Sequence, residues 1–317
     1  MIELSEIEAA RERIAGAALR TPLVRLHADE TPADTEIFLK LETLQPIGSF
    51  KIRGATNAIL QAGAAARADG LVTASAGNMA QGVAWAARDL GVPATIAVPD
   101  HAPEAKLAAI ERLGGRVIKV RYGEWWRAIV TGAVDGVPGL FIHPVQDPGV
   151  MAGNGTIGLE ILEDLGDPDA VLIPYGGGGL TVGIASAIRA QRRDTRIYAV
   201  EPETGAALGA ALAAGGPSEF DYRPSFVDGS GSRMVLEPMW PLVSELVDGA
   251  IAVSLAETAA AVRLLAGRAR VVAEGAGALA LAAALSGRAG SGKLVCIVSG
   301  GNINLATLAE ILAGGTP

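Results

Sequence analysis

Short, unbroken apolar runs alternating with stretches of helical period constrain this chain more than any other feature. The runs fall at residues 37–41, 71–74, 94–98, 117–120, 140–143, 170–174, 196–200 and 294–299. Runs such as Leu294-Val295-Cys296-Ile297-Val298 show no polar alternation, so both faces of the strand must be covered, as in a parallel sheet between helix layers. Between the runs, 78–90 reads as a helix closed by Gly91 with Pro93 beyond it. Leu107, Ile110 and Leu113 recur on one helix face before Gly114-Gly115, and 255–269 carries Val262, Leu265 and Ala266 on one side. Strand–helix alternation of this kind builds right-handed βαβ units, which predicts an α/β fold with open, mostly parallel sheets. The units form two sets. One covers 71–143; the other begins near 170 and takes in the N-terminal region.

Composition narrows the function classes. The 317 residues carry a net charge of −8, which disfavours nucleic acid and anionic lipid as partners. No apolar stretch approaches the roughly 20 residues of a bilayer span, and the acidic start Met1-Ile2-Glu3-Leu4-Ser5-Glu6 does not read as a secretory signal. The single cysteine, Cys296, cannot pair within the chain, and His27, His101 and His143 stand far apart. These features predict a cytoplasmic protein without a zinc or Cys/His catalytic system.

Four glycine-bearing segments at strand ends carry the chemistry. Lys51, in Gly48-Ser49-Phe50-Lys51-Ile52-Arg53-Gly54-Ala55, opens a helical pattern. It is either an exposed helix lysine or, with its pKa lowered by the positive helix end, an amine suited to imine chemistry. Ser75-Ala76-Gly77-Asn78-Met79-Ala80-Gln81-Gly82 supplies either side-chain helix caps at Ser75 and Asn78 or a seat for a carboxylate. Tyr175-Gly176-Gly177-Gly178-Gly179-Leu180 is either a flexible turn or a nest of amides for phosphate. It fits neither the dinucleotide fingerprint nor a Walker loop, which argues against a nucleotide-dependent oxidoreductase. Ser299-Gly300-Gly301-Asn302 follows a buried strand, where open α/β sheets place ligands.

In this order the four segments resemble the pyridoxal-phosphate enzymes of fold type II, the tryptophan-synthase-β-like architecture. Within them they are most similar to the L-threonine/L-serine dehydratases (ammonia-lyases). The resemblance runs from about Leu4 to the C-terminus. It implies a large cofactor domain, 1–66 with 146–317, and a smaller mobile domain, 67–145. Lys51 would join pyridoxal phosphate and act as base at the substrate Cα, with Phe50 against the ring and Asn78 on its 3-hydroxyl. Gly176, Gly177, Gly178, Gly179 and Leu180 would hold the phosphate, and Ser299 would meet the ring nitrogen. Ser75, Ala76, Gly77, Asn78 and Met79 would bind the substrate, with Ser75 on its carboxylate. A neutral serine at that nitrogen weakens the cofactor as an electron sink and favours prompt β-elimination over long-lived carbanions. The implied reaction removes water from a 3-hydroxy L-amino acid, giving a 2-oxo acid and ammonia, in a homodimer.

Three departures from the family pattern open alternatives. Met79 stands where histidine is common, Tyr175 where an aliphatic residue is usual, and Trp125-Trp126 is an unusual pair. If a tryptophan lined the pocket rather than the core, a bulkier or charged substrate (phenylserine-like or hydroxy-diaminobutyrate-like) would follow. Ala76 replaces the second serine of the racemases, which disfavours serine racemisation. Glu201 matches a cation-binding glutamate of the family, but Ala207 stands at the later acidic ligand, leaving at most a monovalent ion. Glu274 is read as a helix cap or as a site residue. The non-enzymatic alternative is a protein that binds pyridoxal phosphate or an amino acid without turnover.

Overall fold

In the computed structural model, residues 1–317 are described throughout, except for the side chain of Ala105. Ten strands form two sheets: β1 (Leu23–Arg25), β2 (Thr35–Leu41), β3 (Leu71–Ala74), β4 (Ala94–Pro99), β5 (Arg116–Val120), β6 (Leu140–Phe141), β7 (Ala170–Pro174), β8 (Arg196–Pro202), β9 (Gly249–Val253) and β10 (Gly292–Val298). The larger sheet runs β1-β2-β10-β7-β8-β9 and the smaller β5-β4-β3-β6. Every pairing is parallel except β1 with β2. The α/β expectation holds.

The unbroken apolar strands are covered on both faces. Leu172, Leu294, Cys296 and Val298 enter one core cluster with the helix Gly275–Leu285, while Val171, Ile173, Val295 and Ile297 enter another with the helix Gly179–Gln191. The order of the larger sheet reverses between β10 and β7. Their carboxyl ends, which carry Ser299 and the glycine tetraloop, therefore border the switch-point crevice where such sheets bind ligands.

Some boundaries differ from the sequence reading. β1 and β9 were not foreseen: each is short and only partly buried, so neither shows an apolar run. The strand at 140 stops at Phe141, because His143 Nδ1 accepts hydrogen bonds from the backbone N–H groups of Val145 and Gln146 and curls the chain away. β10 ends at Val298, one residue before Ser299. The α-helix expected over 255–269 ends at Leu264, and its last turn, Leu265–Ala269, is π-helical and closes on Arg270 at φ 61°.

The helix Lys51–Gln61 joins the two sheets. It is buried along almost its whole length, packed between Pro148–Leu165 and Asn78–Leu90. Glycines permit this close approach: a Cβ on Gly54 would sit 2.7 Å from the Val150 carbonyl oxygen, and one on Gly82 3.1 Å from Ala55 Cβ.

Candidate active site

Lys51 is the first residue of its helix, and its amine donates to the Pro144 carbonyl at 3.0 Å. Its Nζ lies 5.1 Å from the centroid of the Phe50 ring. Desolvation lowers the amine's pKa to about 8. The loop before it is stitched to the end of β10. Ser49 and Gly300 form an antiparallel bridge, Phe50 N–H donates to the Ser299 carbonyl at 3.0 Å, and Gly301 N–H to Gly48 at 2.9 Å. Phe50, Lys51 and Ser299 are thus brought together although nearly the whole chain separates them.

The cap expectation for Ser75 and Asn78 is corrected. Gly77 is the N-cap of the helix Asn78–Leu90, without any side-chain cap bond. Ser75 Oγ accepts from Gly77 N–H at 3.2 Å, while the N–H groups of Ala76, Asn78, Met79 and Ala80 find no partner among the described residues. These donors sit at the positive end of a 13-residue helix, a setting that favours an anion. The Met79 side chain, 2% exposed, turns into the core of the smaller sheet, leaving only its backbone at the site.

The tetraloop is shaped by what a side chain would meet. A Cβ on Gly177 would strike Val145 Cγ2, and one on Gly179 would lie 2.8 Å from the Val145 carbonyl oxygen. Gly178, at φ 95°, is the N-cap of the helix Gly179–Gln191. In that helix's first turn Thr181 Oγ1 is buried without a partner among the described residues. A glycine cradle, free amides from Gly179 and Leu180, and an orphan hydroxyl together suit a phosphate dianion.

The sequence leaves Glu274 open between a helix cap and a site residue. It precedes the helix Gly275–Leu285 but forms no side-chain cap; its Oε1 accepts from Asn78 Nδ2 at 2.8 Å. Burial, helped by the nearby Asp228 charge, raises its pKa to about 7. Asp228 pairs with Lys106 at 2.5 Å, an ion pair spanning the gap between the segments of the two sheets.

Glu201 serves the fold. Its two oxygens accept from the N–H groups of Leu208 at 2.8 Å and Gly209 at 2.9 Å, capping the helix Ala207–Ala214, and burial lifts its pKa to about 7. With both oxygens so engaged and Ala207 beside them, this donor set does not fit a divalent ion. No group of three or more His, Cys, Asp or Glu suited to a metal occurs among the described residues. Trp126 is 43% exposed rather than in the core, and Trp125 packs on Val72, Ala74 and Ala97, the face of the smaller sheet away from the helix Asn78–Leu90.

An amine of lowered pKa, an anion seat and a phosphate cradle, gathered at the carboxyl ends of two parallel sheets, define an imine-forming α/β enzyme. The family model described as pyridoxal-phosphate dependent enzyme matches residues 14–300, and the chain belongs to that family. It is 40% identical to the L-threonine ammonia-lyase of Thermotoga maritima over 99% of this chain and 79% of that protein. Maize serine racemase superimposes with a TM-score of 0.91 at 33% identity, covering 99% of this chain and 97% of the other. The processed threonine deaminase isoform 2 of Solanum lycopersicum gives 0.88 at 34% identity, over 98% and 92%. No helix here is long and apolar enough to cross a membrane.

Proposed function

We propose that this enzyme dehydrates a 3-hydroxy L-amino acid of the threonine/serine type, yielding a 2-oxo acid and ammonia. The observation that carries the reading is the Lys51 amine, part-buried at the junction of the two sheets with a pKa lowered to about 8. Roughly a tenth of such amines are neutral at pH 7, against fewer than about one in two thousand for an ordinary lysine. Bound pyridoxal phosphate supplies the electron sink that acidifies the substrate Cα–H.

The chain's own residues supply the rest. Gly176, Gly177, Gly178, Gly179 and Leu180 would hold the phosphate with backbone N–H groups, and Phe50 would lie against the ring. Asn78 would meet the ring oxygen, and Ser299 would offer a neutral hydroxyl to the ring nitrogen. Ser75 and the free amides of Ala76, Asn78 and Met79, in the turn that Gly77 closes on Ser75, would bind the substrate carboxylate and orient the Cα–H toward Lys51, which takes the proton. Donors fixed before substrate arrives cost no reorganisation during reaction.

Two lobes, 1–66 with 146–317 and 67–145, closing on each other would exclude water. This division is supported by the smaller sheet, whose strands all lie between Leu71 and Phe141. A cytoplasmic homodimer is the assembly this reading carries, and light scattering of the purified protein tests it. The likeness to maize serine racemase favours racemisation as a second reading; Ala76, a methyl group in the anion seat, opposes it. A panel of 3-hydroxy amino acids scored for 2-oxo acid, ammonia and D-isomer decides. Turnover of serine or threonine to oxo acid supports the proposal, whereas D-isomer alone or no turnover overturns it.

A further inference from the structure

Asn302 uses both N–H groups of one carboxamide nitrogen. Its Nδ2 donates to the Ile47 carbonyl at 2.8 Å and to Asn78 Oδ1 at 2.8 Å. The direction of this chain of bonds is not free. A backbone carbonyl only accepts, so Asn302 must turn its nitrogen toward Ile47. The same nitrogen then faces Asn78, which must answer with its oxygen. Asn78 Nδ2 is thereby turned to Glu274 Oε1, 2.8 Å away, with one N–H used and the other left without a partner among the described residues. Gly48, at φ 70°, keeps the space open: a Cβ there would stand 2.8 Å from Asn302 Oδ1.

We infer that Asn302, seconded by Glu274, is a positioning residue that locks Asn78 in the one amide orientation presenting an N–H donor, not a carbonyl, to the cofactor's ring oxygen. The inference rests on the reading that Asn78 meets that oxygen. A donor stabilises the ionised ring oxygen and a carbonyl would repel it, so the lock sets the charge state of the bound cofactor. Sequence reading could not reveal this, because Asn302 and Asn78 meet only through the folding of three distant loops.

The test uses the pyridoxal-phosphate-loaded enzyme, read by its visible and near-ultraviolet bands across pH and by its affinity for pyridoxal phosphate. Asn302→Asp is isosteric but offers only acceptors to Ile47 and Asn78, which forces the Asn78 amide to flip. The expected result is roughly tenfold weaker cofactor binding, the scale of one hydrogen bond to a charged group, and a visible band that retreats toward the near-ultraviolet at a given pH. Asn302→Ala, which removes the lock without repulsion, should shift the bands less and in the same direction, and carries the test if the first variant fails to fold. If Asn78→Ala moves the bands while both Asn302 variants, folded by circular dichroism, leave them as in wild type, the inference falls alone. If Asn78→Ala is also silent, Asn78 does not meet the cofactor and both readings fall.

Discussion

The amine of Lys51 and the carbonyl oxygen of Pro144 meet at 3.0 Å, joining the start of the central helix to the loop that leaves the smaller sheet. A carbonyl accepts a hydrogen bond but brings no negative charge. The part-buried amine therefore has no ion pair, and its lowered pKa follows from desolvation.

Only a neutral amine attacks an aldehyde. Incorporation of pyridoxal phosphate into the cofactor-free chain should therefore rise with pH, with a midpoint near the lysine's value of about 8. Below it the ammonium is inert; above it the rate levels off. Stopped-flow absorbance reads the curve. A midpoint above about 10, the ordinary lysine range, or undiminished incorporation into Lys51→Ala, would contradict the assignment.

Two residues further along the same helix, Arg53 is 1% exposed and engages Glu42 and Glu160, both buried, with bonds of 2.6–2.9 Å. Against the desolvation of burial, the two carboxylates raise its pKa and Arg53 holds Glu42 below the usual carboxylate range. Arg53→Met leaves two acidic groups buried without this partner and should cost roughly 3–5 kcal/mol. Urea unfolding of the purified variant measures it, and a loss under about 1 kcal/mol would mean the cluster is not a load on stability.

Glu201 and Glu274 both have pKa values raised to about 7 from 4.5. The native chain therefore keeps protons that the unfolded chain releases as pH passes 4.5. Their contribution to stability is whole below that pH and is lost as pH rises through about 7. Glu201→Gln should flatten this part of the stability–pH curve. An unchanged slope between about pH 5 and about pH 8 would show that Glu201 titrates normally.

A Cβ at Gly177 would collide with Val145 Cγ2. Gly177→Ala should push the phosphate cradle off Val145 and weaken pyridoxal-phosphate binding by about tenfold or more, the loss of one charge-assisted bond. Phosphate-free pyridoxal should bind wild type and variant alike in equilibrium dialysis. Equal losses for both ligands would place the damage elsewhere.

The Lys106–Asp228 pair is half-buried at Lys106 and exposed at Asp228, so its contribution is small, about 0–1 kcal/mol. Lys106→Ala should leave the melting temperature nearly unchanged yet raise KM up to about fivefold, the factor that 1 kcal/mol represents. High salt should raise the wild-type KM similarly and leave the variant's unmoved. Matching salt dependence in both enzymes would show that the pair takes no part in holding substrate.

The sequence by itself determined the parallel α/β layers, because a strand buried on both faces must be apolar at every position, and it marked the glycine-rich loops whose backbone amides the fold leaves free. It missed β1 and β9, short strands at the sheet's edges whose partial burial demands no such run. Tertiary structure alone decided that desolvation lowers the Lys51 pKa, and that the Met79 side chain faces the core while its backbone N–H stays free at the helix end. It also decided that Glu274 and Asn302 close on Asn78 from residues more than two hundred positions away in the case of Asn302, at a sequence separation of 224. Local patterns encode which groups a segment offers; desolvation and hydrogen-bond partners belong to the folded neighbourhood, which no local pattern contains.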